Sequence, residues 1–293
     1  MNLKEKCKSC LANKQIESVA DKDEKKREEY AEFVRDIIAR ESDKKCTPWI
    51  IGQLNDKYDE LFPNERSFRE YNKSFNMLVL KIENEIEERI LNSEDPIMMA
   101  IKYAASGNYI DYSQSYEISG DGLLKVMDKV LDQKVDEVSL NKFKNDLDKA
   151  KKLAYLTDNC GEVVLDKVFV KVLKKLYPEL DITVIVRGKE AGNDATMDDV
   201  VEIGLDKITK CIGNGTNMPG TVFESINDES KEALKNADVV IAKGLGNFEG
   251  LYGESPLNPY FIFLCKCDMF TELFGLEMFS LVFSKEEDIK TKY

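Results

Sequence analysis

The sequence predicts an α/β protein, with a mostly parallel sheet domain over residues 151–293 and an all-helical domain over residues 1–150. Two observations carry this. The first half has apolar residues at helical spacing and no convincing strand pattern, whereas the second alternates short β-branched or aromatic runs with helical stretches. Alternation of that kind builds βαβ units and hence a parallel sheet. A third observation bounds the answer: 293 residues, 43% of them hydrophobic, suffice for one large core or two moderate ones.

In the first half, residues 23–40 set Tyr30, Phe33, Ile37 and Ile38 on one helical face. Pro48 opens the next helix, which carries Trp49, Ile50, Ile51 and Leu54. Residues 67–91 read as one long helix with Phe75, Leu78, Val79, Ile82, Ile86 and Ile90 on one side. Asp95 and Pro96 supply an N-cap and a first-turn proline for a helix through Ala105, which Gly107-Asn108 ends. Helices over 123–131 and 139–151 complete this half. In the second half, the runs 153–156, 182–186, 208–212, 239–242, 261–265 and 279–283 predict strands, with helices over 163–176 and 229–235.

Composition narrows the function. With 42 basic and 55 acidic residues, the net charge of −13 disfavours nucleic acid, and the lysines are interleaved with acids instead of forming a patch. No apolar run approaches the ~20 residues of a membrane span, and no signal-peptide pattern opens the chain, so cytoplasm is the expected location. Seven cysteines read as thiols or occasional ligands, not a disulfide framework. The chain has no histidine. That removes Ser-His-Asp and Cys-His catalysis, His-ligated zinc and phosphohistidine chemistry together. A metal site made from the remaining oxygen donors would lean toward Mg²⁺ or Mn²⁺.

In an open α/β sheet, ligands bind beyond the carboxyl ends of the strands. After the first run comes Thr157-Asp158-Asn159-Cys160-Gly161-Glu162, leading into a helix whose N-terminus favours an anion. After the second come Arg187-Gly188 and then Gly192-Asn193-Asp194-Ala195-Thr196. The third is followed by Gly213-Asn214-Gly215-Thr216-Asn217, the fourth by Lys243-Gly244-Leu245-Gly246-Asn247-Phe248-Glu249-Gly250. One such tip is an ordinary turn; four on one sheet edge suggest a site. The last is neither a Walker A loop, since its lysine precedes the glycines, nor a dinucleotide fingerprint, since Gly250 falls one place late.

These segments together resemble the DUF89 family, the metal-dependent damage-control phosphatases also called ARMT1-like. The matching blocks are 156–162, Val186-Arg187-Gly188 with 193–196, and Lys243-Gly244-Leu245-Gly246-Asn247-Phe248-Glu249. Cys7-x-x-Cys10 and Lys266-Cys267 resemble markers of its subfamily I, and Gly107-Asn108-x-Ile110-Asp111 a further family segment. Cys160 departs from the alanine that relatives often carry there.

The resemblance implies a helical domain packed on a Rossmann-like one, with a divalent metal in the cleft: Mn²⁺ foremost, with Mg²⁺, Co²⁺ or Ni²⁺ as alternatives. Its ligands would be Asp158, Asn159 and Asp194. The implied substrate is a small phosphorylated metabolite such as a sugar phosphate or a damaged nucleotide. Lys243 would place a point charge on the phosphate and Arg187 a fork of donors, with Asn193 and Asn247 in the same binding set. Glu162 or Glu249 would orient water or sugar hydroxyls, and Asn108 and Asp111 would close the site from the helical domain. Whether Asp158 is a ligand only or also attacks phosphorus is left open, with metal-activated water preferred.

Two other classes compete. An S-adenosylmethionine-dependent methyltransferase on the same sheet needs an acid at the end of the second strand, where Arg187 stands instead. A cysteine-based metal or redox module would use Cys7 and Cys10, with Cys265 and Cys267 as further thiolates; the Cys-x-Cys spacing is tighter than that of the usual zinc knuckle. Oligomeric state is open.

Overall fold

The apolar runs of the second half become six strands of a single sheet: β1 (Lys152–Leu156), β2 (Asp181–Val186), β3 (Lys210–Gly213), β4 (Val239–Lys243), β5 (Tyr260–Leu264) and β6 (Leu281–Lys285). Their order is β3-β2-β1-β4-β5-β6. The pairings are parallel except at the β5–β6 edge, which is antiparallel. This computed structural model describes residues 5–65, 67–109, 120–253 and 255–291. Strand order reverses between β1 and β4, so the crevice that the fold offers a ligand lies at the tips of β1 and its neighbours.

Successive strand residues point to opposite faces, and both faces are covered. Leu153, Tyr155, Ile182, Val184, Val239, Ile241 and Ile262 enter one apolar cluster, while Ala154, Leu156, Ile185, Val240, Ala242, Phe261 and Phe263 enter the other. Burial on both sides explains why these strands read as continuous apolar runs.

The helices of the first half are α1 (Glu5–Glu17), α2 (Glu24–Glu41), α3 (Thr47–Leu61), α4 (Arg69–Leu80), α5 (Glu83–Leu91), α6 (Pro96–Ser106), α7 (Gly120–Leu131) and α8 (Glu137–Leu147). Those of the second are α9 (Glu162–Leu176), α10 (Met197–Ile203), α11 (Asp228–Lys235), α12 (Gly244–Leu251) and α13 (Asp268–Phe274). Tyr30, Val34, Ile50, Leu54, Tyr58 and Phe62 form a cluster under α1–α3. The later helices do not have a core of their own: Ile86, Ile101, Leu123 and Phe143 pack into the cluster that holds Tyr155 and Val184 of the sheet and Val168 of α9. Element type changes at residue 150, but the main core runs across it. Among the described residues, no helix is long and apolar enough to cross a membrane.

Several expected boundaries move. The single helix over 67–91 is two, α4 and α5, broken at Lys81-Ile82. Both segments pack on α9, and the break lets α5 present Glu83 and Glu87 to Lys167 and Lys171. Helix α8 stops at Leu147, and the third strand begins at Lys210 because a 3₁₀ turn (Leu205–Lys207) precedes it. Helix α1 was not foreseen; none of its residues is fully buried, so it carries little periodic signal. The glycine-rich segment after β4 is a helix, α12, held by Phe248 among Phe261, Phe263, Phe270 and Phe274. Gly246 is there for proximity: a Cβ on it would stand 2.4 Å from the carbonyl oxygen of Pro219.

The tie between α5 and α9 is ionic and largely out of water. Lys167 Nζ donates to Glu83 Oε2 at 2.8 Å and to the Ile203 carbonyl at 2.8 Å. Removing the carboxylate strands a buried ammonium. Glu83→Ala should therefore lower unfolding free energy by about 3 kcal/mol in a denaturant titration; a loss within about 0.5 kcal/mol would show that the pair carries no net stability.

Candidate active site

The site is made by two turns that pair with each other beyond the strand tips. The turn after β1 contains Asp158, Asn159 and Cys160; the loop after β2 contains Asn193, Asp194 and Ala195. Ala195 N–H donates to the Asp158 carbonyl at 2.8 Å, and Cys160 N–H to the Asn193 carbonyl at 2.8 Å. Asn159 and Asp194 form an antiparallel bridge, and Arg187 a parallel one with Thr196. The three expected ligands Asp158, Asn159 and Asp194 are thus brought to one spot, all of them buried.

Their side chains are fixed from behind. Asn159 Nδ2 donates to Asp158 Oδ2 at 3.2 Å and to Glu162 Oε1 at 2.9 Å, so its Oδ1 stands outside those bonds. Asp194 Oδ2 accepts from Arg187 Nε at 2.6 Å. The rest of the Arg187 fork reaches the Thr157 carbonyl, Thr221 Oγ1 and Asn247 Oδ1. Asn247 Nδ2 in turn donates to the Thr157 and Lys243 carbonyls. Lys243 Nζ, fully buried, donates to Asp166 Oδ1 at 2.9 Å and meets Glu162 Oε2 at 3.4 Å; Tyr155 OH donates to the same Asp166 oxygen at 2.7 Å. Arg187 and Lys243 are therefore engaged with protein carboxylates beneath the turns. Gly244 makes room above: its φ is +80° and a Cβ there would sit 1.9 Å from Asp158 Oδ2.

Charge at the site is unbalanced. Burial pushes the Asp158 carboxyl well above its ordinary range, and the carboxylates of Glu162 and Asp194 push it further, against Lys266 and Arg187. Burial also raises Asp166, with Lys243 opposing. Burial works to lower Lys243, but Asp166 and Glu162 overcome it and hold the ammonium above its ordinary value.

A cleft of about 530 Å³ opens on Asn193 and Asp194, with Gln15, Asn55, Tyr58 and Glu65 of the helical half on its walls. That volume suits a small metabolite. Whether the residues fit a divalent cation can be judged from the donors. Among the described residues no three carboxylates or thiols gather into a group that could hold a metal ion; the set here is two carboxylates and an amide, with the third acid, Glu162, turned to Asn159 and Lys243. Hard oxygen donors, crowded negative charge and no histidine suit Mg²⁺ or Mn²⁺, and a cation would relieve the repulsion at Asp158. The set fits.

The remaining expected residues are spread around this centre. Glu249 is half-buried and accepts from Thr47 Oγ1 at 2.6 Å, which ties α12 to α3. Asn108 is buried just past α6, and its Nδ2 has no partner among the described residues. Gly107 beside it approaches Glu162 so closely that a Cβ would lie 2.8 Å from Glu162 Cγ. Asp111 lies outside the described residues. Phe248 and Gly246 shape α12, as above. Cys7 is half-buried between two apolar clusters, Cys10 and Cys267 are exposed, and Cys265 is buried. Lys6 pairs with Asp268 at 3.6 Å and Glu272 at 3.7 Å, which brings the start of α1 near the start of α13. Sequence reasoning missed Asp166, Tyr155 and Asn76. Asp166 falls at i+4 from Glu162, a spacing that puts both acids on one helix face and was a readable signal.

Comparison with known proteins agrees with this architecture. Residues 3–282 match the family model described as the damage-control phosphatase ARMT1-like domain. A damage-control phosphatase of Pyrococcus horikoshii is 30% identical over 275 residues, covering 91% of this chain and 92% of that protein. One from Archaeoglobus fulgidus is 25% identical, covering 96% and 98%. The crystal structure of a DUF89 family protein from Pyrococcus horikoshii superposes with a TM-score of 0.84 at 24% identity, over 98% of this chain and 99% of that one, which shows a shared fold.

Two outcomes follow from the geometry. Gly244→Ala should weaken Mn²⁺ binding, measured by calorimetry, by at least about tenfold, because Asp158 must move; wild-type affinity would mean that Asp158 is not a donor. Glu249 gives a pH signature. Burial raises it from 4.5 to about 7, against the Thr47 hydrogen bond. The folded protein thus keeps a proton there that the unfolded chain has released, and this group makes stability fall as pH rises through that window. Glu249→Gln should flatten the pH dependence of unfolding between those values; an unchanged slope would remove Glu249 as its source.

Proposed function

The chain belongs to the damage-control phosphatase ARMT1-like family, and from that membership and the site geometry we propose that it is a metal-dependent phosphatase of small phosphate monoesters with a damage-control role. The observation that most supports this reading is the pairing of the two turns, which brings Asp158 and Asn159 together with Asp194, a residue that lines a metabolite-sized cleft.

Asp158, Asn159 and Asp194 would hold the cation, Mn²⁺ foremost. When bound, it supplies positive charge to a phosphoryl oxygen and acidifies water. The protein's own residues do the positioning. Glu162 orients the Asn159 amide by taking its Nδ2 hydrogen. Arg187 fixes Asp194, and Lys243 balances Glu162 and Asp166. In this reading the last two act through ligands and acids instead of touching phosphate. Lys266 adds positive charge near Asp158. The methyltransferase alternative needs an acid at the tip of β2, and Arg187 stands there, buried and paired with Asp194.

Hydrolysis of p-nitrophenyl phosphate should require added Mn²⁺, Co²⁺, Ni²⁺ or Mg²⁺. Asp158→Ala and Asp194→Ala should each lower kcat by at least about 1,000-fold, as expected for loss of a ligand to the group that stabilises phosphoryl charge. Undiminished turnover in excess chelator, or in either variant, would overturn the reading.

A further inference from the structure

We infer that Asn76, on α4 of the helical half, is a positioning residue that locks the two ligand-bearing turns at their working separation. The inference rests on the proposed metal site and extends it to a residue that touches neither a ligand side chain nor the cleft.

Asn76 is wholly buried, and both ends of its amide are used. Its Oδ1 accepts from Gly161 N–H at 2.7 Å, at the end of the turn carrying Asp158 and Asn159. Its Nδ2 donates to Asp199 Oδ1 at 3.0 Å. The other oxygen of Asp199 accepts from Thr196 N–H at 2.9 Å and Thr196 Oγ1 at 2.8 Å, forming the capping box that starts α10 two residues after Asp194. One side chain therefore spans from the first turn to the cap of the second. The backbone bonds Ala195–Asp158 and Cys160–Asn193 join the turns directly, and Asn76 braces both from outside them. The Cys160 thiol, held protonated by burial and the Asp199 carboxylate, lies against the same pair.

The contact demands an acceptor on one side and a donor on the other. Only an amide of this length supplies both. An aspartate at 76 would keep the Gly161 bond but set a carboxylate against Asp199. An asparagine at 199 would turn an amide hydrogen toward either Asn76 Nδ2 or Thr196 N–H. The two changes together restore the bonds to Gly161 and Thr196 and the bond between the two side chains, with donor and acceptor exchanged and net charge preserved.

The test measures Mn²⁺ affinity of wild type, Asn76→Asp, Asp199→Asn and the double variant by calorimetry, beside the melting temperature of each without metal. Each single variant should bind Mn²⁺ about tenfold more weakly, and the double should return to within about threefold of wild type. A packing role alone would lower melting temperature and leave the affinity of the folded protein unmoved. Single variants that bind as wild type does, or a double no better than the worse single, overturn the inference. If a single variant does not fold, the double decides: folded and metal-binding supports the lock, unfolded overturns it. Wild type that takes up no Mn²⁺ overturns the metal reading itself, and the lock with it. Wild-type uptake with unaltered variants overturns the lock alone.

Discussion

Two short turns, paired by backbone hydrogen bonds beyond the tips of β1 and β2, are the constraint on which the site depends. Ala195 N–H to the Asp158 carbonyl and Cys160 N–H to the Asn193 carbonyl set Asp158, Asn159 and Asp194 together. Neither turn could do so alone, because each contributes one or two oxygen donors. The pairing also concentrates negative charge where water is scarce, and much of the surrounding structure answers that cost. Arg187 is locked onto Asp194, and Lys243 onto Glu162 and Asp166, each with almost no exposure. A buried carboxylate is tolerable only when paired and hydrogen-bonded. Asp158 is the acid left without a cationic hydrogen-bond partner among these, and under the proposed function that is where a metal ion would bind.

The helical half takes part in this arrangement. Its later helices share the sheet's main core, and α4 and α5 lie along α9, the helix that starts at Glu162. The Glu83–Lys167 and Glu87–Lys171 pairs fix that packing ionically. Gly107 at the end of α6 lets that helix approach Glu162, and Thr47 of α3 ties down Glu249 of α12. The cleft is consequently walled on one side by helices far earlier in the chain than the loop after β2 that lines its other side.

Much of the fold was legible. All six strands overlap the expected runs, β3 and β6 starting two residues later than expected; the inner strands, buried on both faces, leave continuous β-branched and aromatic stretches. The helix through Ala105 begins at its predicted cap, with Asp95 accepting from Met98 N–H. Breaks and weak helices were not legible. Nothing in the periodicity of residues 67–91 marks Lys81-Ile82, because the break follows from docking on α9. No helix was expected over 244–251, where Gly246 and Gly250 serve close approach of the 219–221 segment. At the site, the residue types at the strand tips pointed to oxygen ligation, and family resemblance chose among them. Spacing alone could not show that Lys243 and Arg187 point at protein carboxylates, because their partners Asp166 and Asp194 are fixed only by the folded backbone. Asn76 was invisible for the same reason: its partners are 85 and 123 residues away in sequence.

The central claim is that the two turns together hold a divalent cation through oxygen. Anomalous diffraction at the manganese edge, from crystals grown with Mn²⁺, tests it without reference to substrate. The account predicts a single strong peak bonded by side-chain oxygens of Asp158, Asn159 and Asp194. A peak among Cys7, Cys10 and Cys267, or none at the paired turns, would contradict it.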